Sequence, residues 1–242
     1  MQLGGMCVVK NQDDYVYYAI KSVLPYVDRM VVFVNDGNDR TYQEAMRAGA
    51  EVYKKTGQLA DLRNEAADML NCDWVWWFDG DEVWPQESAM KVRDVVSSYD
   101  KDLDTSILSV KLVRFVDDRF HWDGQTHAMP RIYRHKDVKM YGKGFPACVD
   151  ALARREEDLE IVYGETHNEA RVPQPYIKDV DLLYYHYAEC NTLLQRKQKW
   201  YGYISSSNDD GFAKNFKRLQ QQRWGIEHQS RAWQGPQPEV FG

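Results

Sequence analysis

Short apolar runs alternate with amphipathic stretches through the first hundred residues. Residues 6–9 form an apolar run that stops at the polar cluster Lys10-Asn11-Gln12-Asp13-Asp14, a strand feeding a helix. Tyr15, Tyr18, Ala19 and Val23 then recur at helical spacing until Pro25. The β-branched run 30–34 reads as a second strand, ended by Asn35-Asp36-Gly37. Residues 41–48 suit a helix closed by Gly49, 51–54 a weak strand, and 59–70 a helix with Leu59, Leu62, Ala66 and Leu70 on one face. Trp74 to Phe78 is apolar throughout and reads as a buried strand. This β-α-β-α-β series predicts an α/β fold, a mostly parallel sheet flanked by helices, in which ligands gather at the carboxyl ends of the strands.

Beyond about residue 105 the regularity fades. Residues 106–115 still read as a strand, but 117–144 are dense in His, Trp, Tyr, Arg and Gly, a composition that suits site-forming loops. From Asn191 onward eight Lys and Arg face four Asp and Glu, with Trp200, Tyr201, Tyr203, Phe212, Phe216 and Trp224 interleaved. The expected organisation is one α/β domain over 1–190 and a basic, aromatic helical C-terminal extension over 191–242. That extension suits either an anionic partner, such as a lipid phosphate, a phosphorylated glycan or nucleic acid, or a solvated helical face.

Composition narrows the class. The chain has 242 residues, 43% apolar and 28% charged, with net charge −6, which excludes disordered and collagen-like chains. No apolar run approaches the roughly 20 residues of a membrane-spanning helix. The N-terminus lacks a basic stretch followed by a long apolar segment, so a cytoplasmic location is expected. Four cysteines, Cys7, Cys72, Cys148 and Cys190, form no C-x-x-C pair and are expected to be reduced. H-E-x-x-H, G-x-S-x-G and phosphate-loop motifs are absent, leaving protease, esterase and nucleoside-triphosphatase readings unsupported.

The sharpest chemical feature is Trp74-Val75-Trp76-Trp77-Phe78-Asp79-Gly80-Asp81-Glu82, an apolar strand ending in three carboxylates. If the backbone stays extended, Asp79 and Asp81 present their oxygens on one side, and hard cations such as Mg²⁺ and Mn²⁺ prefer such ligands. The same residues also suit a solvated acidic turn. A second acidic cluster, Asn35-Asp36-Gly37-Asn38-Asp39, ends the preceding apolar strand, as a ligand site or a polar turn. Arg63, near the start of a helix, offers a cation for a phosphate or a donor for a base carbonyl. A solvated helix-surface arginine remains the alternative, although Leu59, Ala60, Ala66 and Ala67 provide no intrahelical carboxylate.

Taken in order, Lys10-Asn11, Ser22-Val23 with Pro25, Val27-Asp28, Asn35-Asp36-Gly37, Asp39 with Thr41, Arg63-Asn64-Glu65-Ala66 and Asp79-Gly80-Asp81-Glu82 resemble family 2-type glycosyltransferases of the GT-A fold. The resemblance covers residues 4–85. It implies a metal-dependent glycosyltransferase that moves a sugar from a nucleotide-sugar, a UDP-sugar first, to an acceptor hydroxyl with inversion. In that arrangement Asp36 and Asp39 meet the nucleoside, Arg63 the base or diphosphate and Asp79 the ribose or sugar. Asp81 holds Mn²⁺ or Mg²⁺. Asn35 stands where such enzymes often have Asp, and the turn after Gly37 is one residue short of D-G-S-x-D. Past residue 105 the resemblance makes 131–134 a strand after the acceptor loop, Asp150 a catalytic base with Asp123 next in line, and His186 a late metal ligand. His186 equally suits a core or strand-edge histidine, and Asp150 a helix cap or surface charge. His121 and His127 are acceptor-loop candidates, and the acceptor is a glycan, a lipid-linked glycan or another hydroxyl compound. Rival readings are a nucleotidyltransferase of the same fold and a sugar- or nucleotide-binding module without catalysis.

Overall fold

The computed structural model describes residues 1–36, 39–116, 121–141, 145–148, 177–189 and 231–232. The chain runs β1 (Leu3–Val9), α1 (Val16–Val23), a 3-10 turn (Leu24–Tyr26), β2 (Arg29–Asn35), α2 (Thr41–Arg47), β3 (Glu51–Lys55) and α3 (Leu59–Leu70). Then come β4 (Trp74–Phe78), β5 (Glu82–Val83), α4 (Gln86–Tyr99), β6 (Ile107–Val116) and β7 (His121–Arg134). The last described elements are β8 (Val138–Tyr141), β9 (Phe145–Cys148), β10 (Ile177–Glu189) and β11 (Arg231–Ala232).

The chain divides into two compact units, the first built from Met1–Leu112 and His127–Tyr185. Its sheet has the order β3-β2-β1-β4-β7-β6-β10-β5. The pairs β2/β3, β1/β2 and β1/β4 are parallel, with Cys7 between Val32 and Phe78. β7 joins β4 antiparallel, Trp76 opposite Ile132 and Val75 opposite Tyr133. The sheet is therefore mixed and largely parallel, as the early β-α alternation predicts.

Both faces are covered, which is why the inner strands are apolar without a break. On one face Cys7, Val9, Val32, Val34, Trp76 and Phe78 pack against α1, α2 and α4. On the other, Met6, Val8, Val31, Phe33, Val75 and Trp77 pack against α3 and β8. Members of each set sit two residues apart along each strand, so a register slip of one residue would exchange the two cores.

Helix α1 buries Val16, Ala19, Ile20 and Val23. This stripe lies one position from the expected one, because the aliphatic residues take the interior and Tyr17 and Tyr18 stay at its rim. Helix α3 has the expected bounds and ends at Asn71, whose left-handed conformation (φ 46°) closes the last turn. Helix α4 follows Pro85 and buries Ala89, Val92 and Val96. The sequence reading passed over it.

The expected loop region is corrected more substantially. Residues 121–134 form one long strand, because aromatic and long side chains also fit a pleated, half-buried surface and because β4 supplies a hydrogen-bonded edge. Within the second unit, taken by itself, β11 pairs antiparallel with β7, Arg231 opposite Trp122, and Phe115 stacks on Tyr187 at 4.9 Å. Apart from Arg231 and Ala232, the expected C-terminal extension lies outside the described residues. Among the described residues no helix is long and apolar enough to cross a membrane. Cys7 and Cys72 are free thiols; burial pushes the Cys72 thiol up to about 11, so it is protonated at neutral pH.

Candidate active site

Parallel pairing of β1, β2 and β4 places the turns that follow them side by side at their carboxyl ends: residues 10–15, residues 36 and 39–40, and residues 79–81, which lead into β5. The third turn is tight. β4 stops at Phe78, the Glu82 N–H donates to the Asp79 carbonyl at 3.0 Å, and the Asp79 N–H donates to Glu82 Oε2 at 3.1 Å. Gly80 permits this closure. A Cβ there would lie 2.5 Å from Val9 Cγ2, closer than real Cβ contacts come, and 3.3 Å from Gln12 Cβ, a tight contact.

The turn separates the carboxylates that an extended backbone would align. Asp79 Oδ1 accepts from Arg63 Nη2, and its Oδ2 lies 3.9 Å from Arg131 Nη2. Arg131 grips Glu82 through both Nε, at 2.8 Å, and Nη2. The Arg63 and Arg131 guanidinium carbons lie 4.1 and 4.2 Å from the Trp77 ring centroid, and Arg131 lies 5.0 Å from that of Tyr184. Cation–π contact thus supplements the ion pairs where water is scarce. Asp81 turns elsewhere, its Oδ2 accepting from Gln12 Nε2 at 3.0 Å.

This site is largely desolvated: Arg63, Asp81 and Arg131 are each 4% exposed and Glu82 is 1% exposed. Burial is the largest single influence on the Arg131 pKa and pulls it down, but the charge and hydrogen bonds of Glu82, with the charge of Asp79 and the neighbouring Tyr184, together outweigh it, and the net shift is upward. Burial raises the Tyr184 phenol well above its usual range, leaving it neutral. Breaking such a buried pair strands a charge, at a cost of about 3–5 kcal/mol. Glu82→Gln is accordingly expected to lower unfolding stability by about that amount in denaturant titration. A loss below about 1 kcal/mol, the range of an exposed pair, would contradict this picture.

The other predicted residues are placed as follows. Asp36 is exposed in the turn after β2, with φ 46°. Asp39 Oδ1 accepts from the Thr41 N–H at 2.9 Å, an Asx turn that leads into helix α2. Arg63 is a buried partner of Asp79 and Trp77, not a solvated surface arginine. His121 and His127 lie on β7, half-buried and exposed respectively, with Asp123 on the same strand. His186 is half-buried on β10, in the second unit. Asp150 lies outside the described residues. Among the described residues, no three His, Cys, Asp or Glu side chains converge as a metal cage.

The sequence reading named Glu82 and Arg131 without pairing them, and it gave Gln12 no role. Glu82 and Arg131 are 49 residues apart, so no local spacing advertises their contact. The available signal was the cost of three adjacent carboxylates at the tip of an apolar strand, which demands cations nearby.

The fold is that of a GT-A glycosyltransferase. The model of the Glycosyl transferase family 2 matches residues 7–161, and the chain belongs to that family. An uncharacterized glycosyltransferase of Rickettsia prowazekii is 24% identical over 158 residues, covering 64% of this chain and 51% of that protein. One of Rickettsia typhi is 23% identical over the same coverage. The chain thus spans about half the length of these curated relatives. A crystal structure of glucosyl-3-phosphoglycerate synthase from Mycobacterium tuberculosis, with Mn²⁺, UDP-glucose and phosphoglyceric acid, resembles 99% of this chain and 90% of its own at TM-score 0.52 and 13% identity.

Proposed function

We propose that this chain is a metal-dependent, inverting glycosyltransferase acting on a nucleotide-sugar, with a UDP-sugar as first choice. The observation that carries this reading is the Asp79-Gly80-Asp81 turn, clamped by two buried arginines and placed at the carboxyl ends of the parallel strands, where the turn carrying Asp36 also lies. The family match adds the chemistry, and the synthase crystallised with Mn²⁺ and UDP-glucose shows that a similar fold takes such ligands.

The donor set fits a hard divalent cation. Asp81 supplies carboxylate oxygen, and Mg²⁺ or Mn²⁺ commonly binds through one or two carboxylates plus substrate phosphates and water. When bound there, the cation neutralises charge developing on the departing diphosphate. Asp36, exposed in its turn, accepts hydrogen bonds from the base or ribose. Asp79, held by Arg63 and Arg131, keeps a fixed orientation toward a ribose or sugar hydroxyl. Asp150 takes the proton from the acceptor hydroxyl as its oxygen attacks the anomeric carbon, and a single displacement inverts that centre. The acceptor is a glycan, a lipid-linked glycan or a small hydroxyl compound.

Asp36→Ala tests the nucleoside assignment without disturbing the interior. Losing a hydrogen bond to a charged group costs about 1.5–3 kcal/mol, so UDP affinity is expected to fall roughly 10- to 100-fold by calorimetry. Wild-type affinity would remove Asp36 from the site. A binding module without catalysis would show the same UDP affinity but no turnover of any nucleotide-sugar.

A further inference from the structure

The three carboxylates of the turn have different companions. Asp79 and Glu82 each pair with a guanidinium group, and Asp81 Oδ2 accepts from the neutral amide of Gln12. We infer that Gln12 is a positioning residue for the metal site, fixing Asp81 Oδ2 by an amide hydrogen bond that leaves the carboxylate its charge. The inference rests on the reading of Asp81 as a metal ligand.

Gln12 is itself held from several sides. Its N–H donates to Thr41 Oγ1 at 2.7 Å, and its carbonyl accepts from the Val16 N–H at 3.0 Å, where α1 begins. Its stem passes Gly80, where the missing Cβ leaves room for it. Thr41 in turn donates its own N–H to Asp39. A continuous chain of hydrogen bonds therefore runs from Asp39 in the β2 turn, through Thr41 and Gln12, to Asp81 in the β4 turn. The amide of Gln12 cannot drift without breaking contacts to the backbone that carries it.

Such a donor costs an approaching cation little. A carboxylate oxygen has lone pairs for both an N–H and a metal, and a neutral amide does not cancel the charge that attracts the metal. An arginine in its place would neutralise Asp81, as Arg131 does Glu82. Hydrogen-bond partners of metal-ligating groups typically contribute 10- to 100-fold in metal affinity.

Gln12→Met keeps an unbranched stem against Gly80 and removes the donor. The test is Mn²⁺ affinity of the full chain, followed by the electron spin resonance signal of free Mn²⁺, with saturating UDP or GDP, whichever binds wild type more tightly. Thermal midpoint and metal-free nucleotide affinity are measured beside it. Mn²⁺ affinity is expected to fall about 10- to 100-fold, with metal-free nucleotide affinity unchanged and the protein still folded in the thermal scan. If wild type binds Mn²⁺ and Gln12→Met binds it within about threefold, the positioning role is overturned while the metal reading stands. If Asp81→Asn binds Mn²⁺ as wild type does, or wild type binds none, both fall. If the nucleotide affinity drops equally without metal, Gln12 serves the nucleotide and the inference is overturned.

Discussion

Asp81→Asn is expected to reduce Mn²⁺-dependent sugar transfer about 10³-fold or more while the protein stays folded. Charge stabilisation of a leaving group by a metal is worth several kcal/mol, and each 1.36 kcal/mol is tenfold in rate. The substitution removes the charge from a side chain that is 4% exposed, and keeps an oxygen that still accepts from Gln12 Nε2. Stability is therefore largely preserved, in contrast with Glu82→Gln, which leaves Arg131 without its bidentate partner. The assay is donor turnover after chelation and Mn²⁺ restoration. Rates equal to wild type would show that Asp81 has no part in the reaction.

Asp150→Asn is expected to lower turnover roughly 10²- to 10⁴-fold, the usual contribution of a general base, while nucleotide and metal still bind. Asp150 falls inside the matched region 7–161 and follows the stretch Tyr141-Gly142-Lys143-Gly144-Phe145, 69 residues after Asp81. Asparagine keeps the shape and removes the proton acceptor. Single-turnover rates at saturating donor isolate the chemical step from binding. A variant within about tenfold of wild type would move the role elsewhere, and Asp123 on β7 is the next residue to test.

The elements from β1 to β4 were legible in the sequence because each announces itself locally. The run Trp74–Phe78 is too apolar for anything but a strand covered on both faces, and Leu59–Leu70 repeats its apolar positions at helical spacing up to a left-handed Asn71. What it concealed depends on contacts distant in sequence. β7 hides in a His-, Trp- and Arg-rich stretch because its strand character comes from pairing with β4, 60 residues away in sequence where Trp74 faces Arg134.

 The Asp79-Gly80-Asp81 turn was legible as an acidic site, but its geometry was not. An alternating side-chain pattern presumes an extended backbone, and the Glu82-to-Asp79 hydrogen bond replaces it with a turn that sends the two carboxylates to different partners. Arg63 was visible as a cation without a local carboxylate, and its partner stands 16 residues on, across the interface of α3 with the sheet.

The central claim is that the three clustered strand ends form a donor site that breaks a nucleotide-sugar bond with a divalent cation present. The most direct measurement is release of nucleoside diphosphate from a panel of nucleotide-sugars, UDP-glucose included, by the full chain with Mn²⁺, with chelator, and with Mn²⁺ restored. The account predicts release from at least one donor that chelation stops and Mn²⁺ restores, and that Asp81→Asn lacks. Release that is indifferent to chelation, or no release from any donor by a chain that binds the same nucleotides, would contradict it.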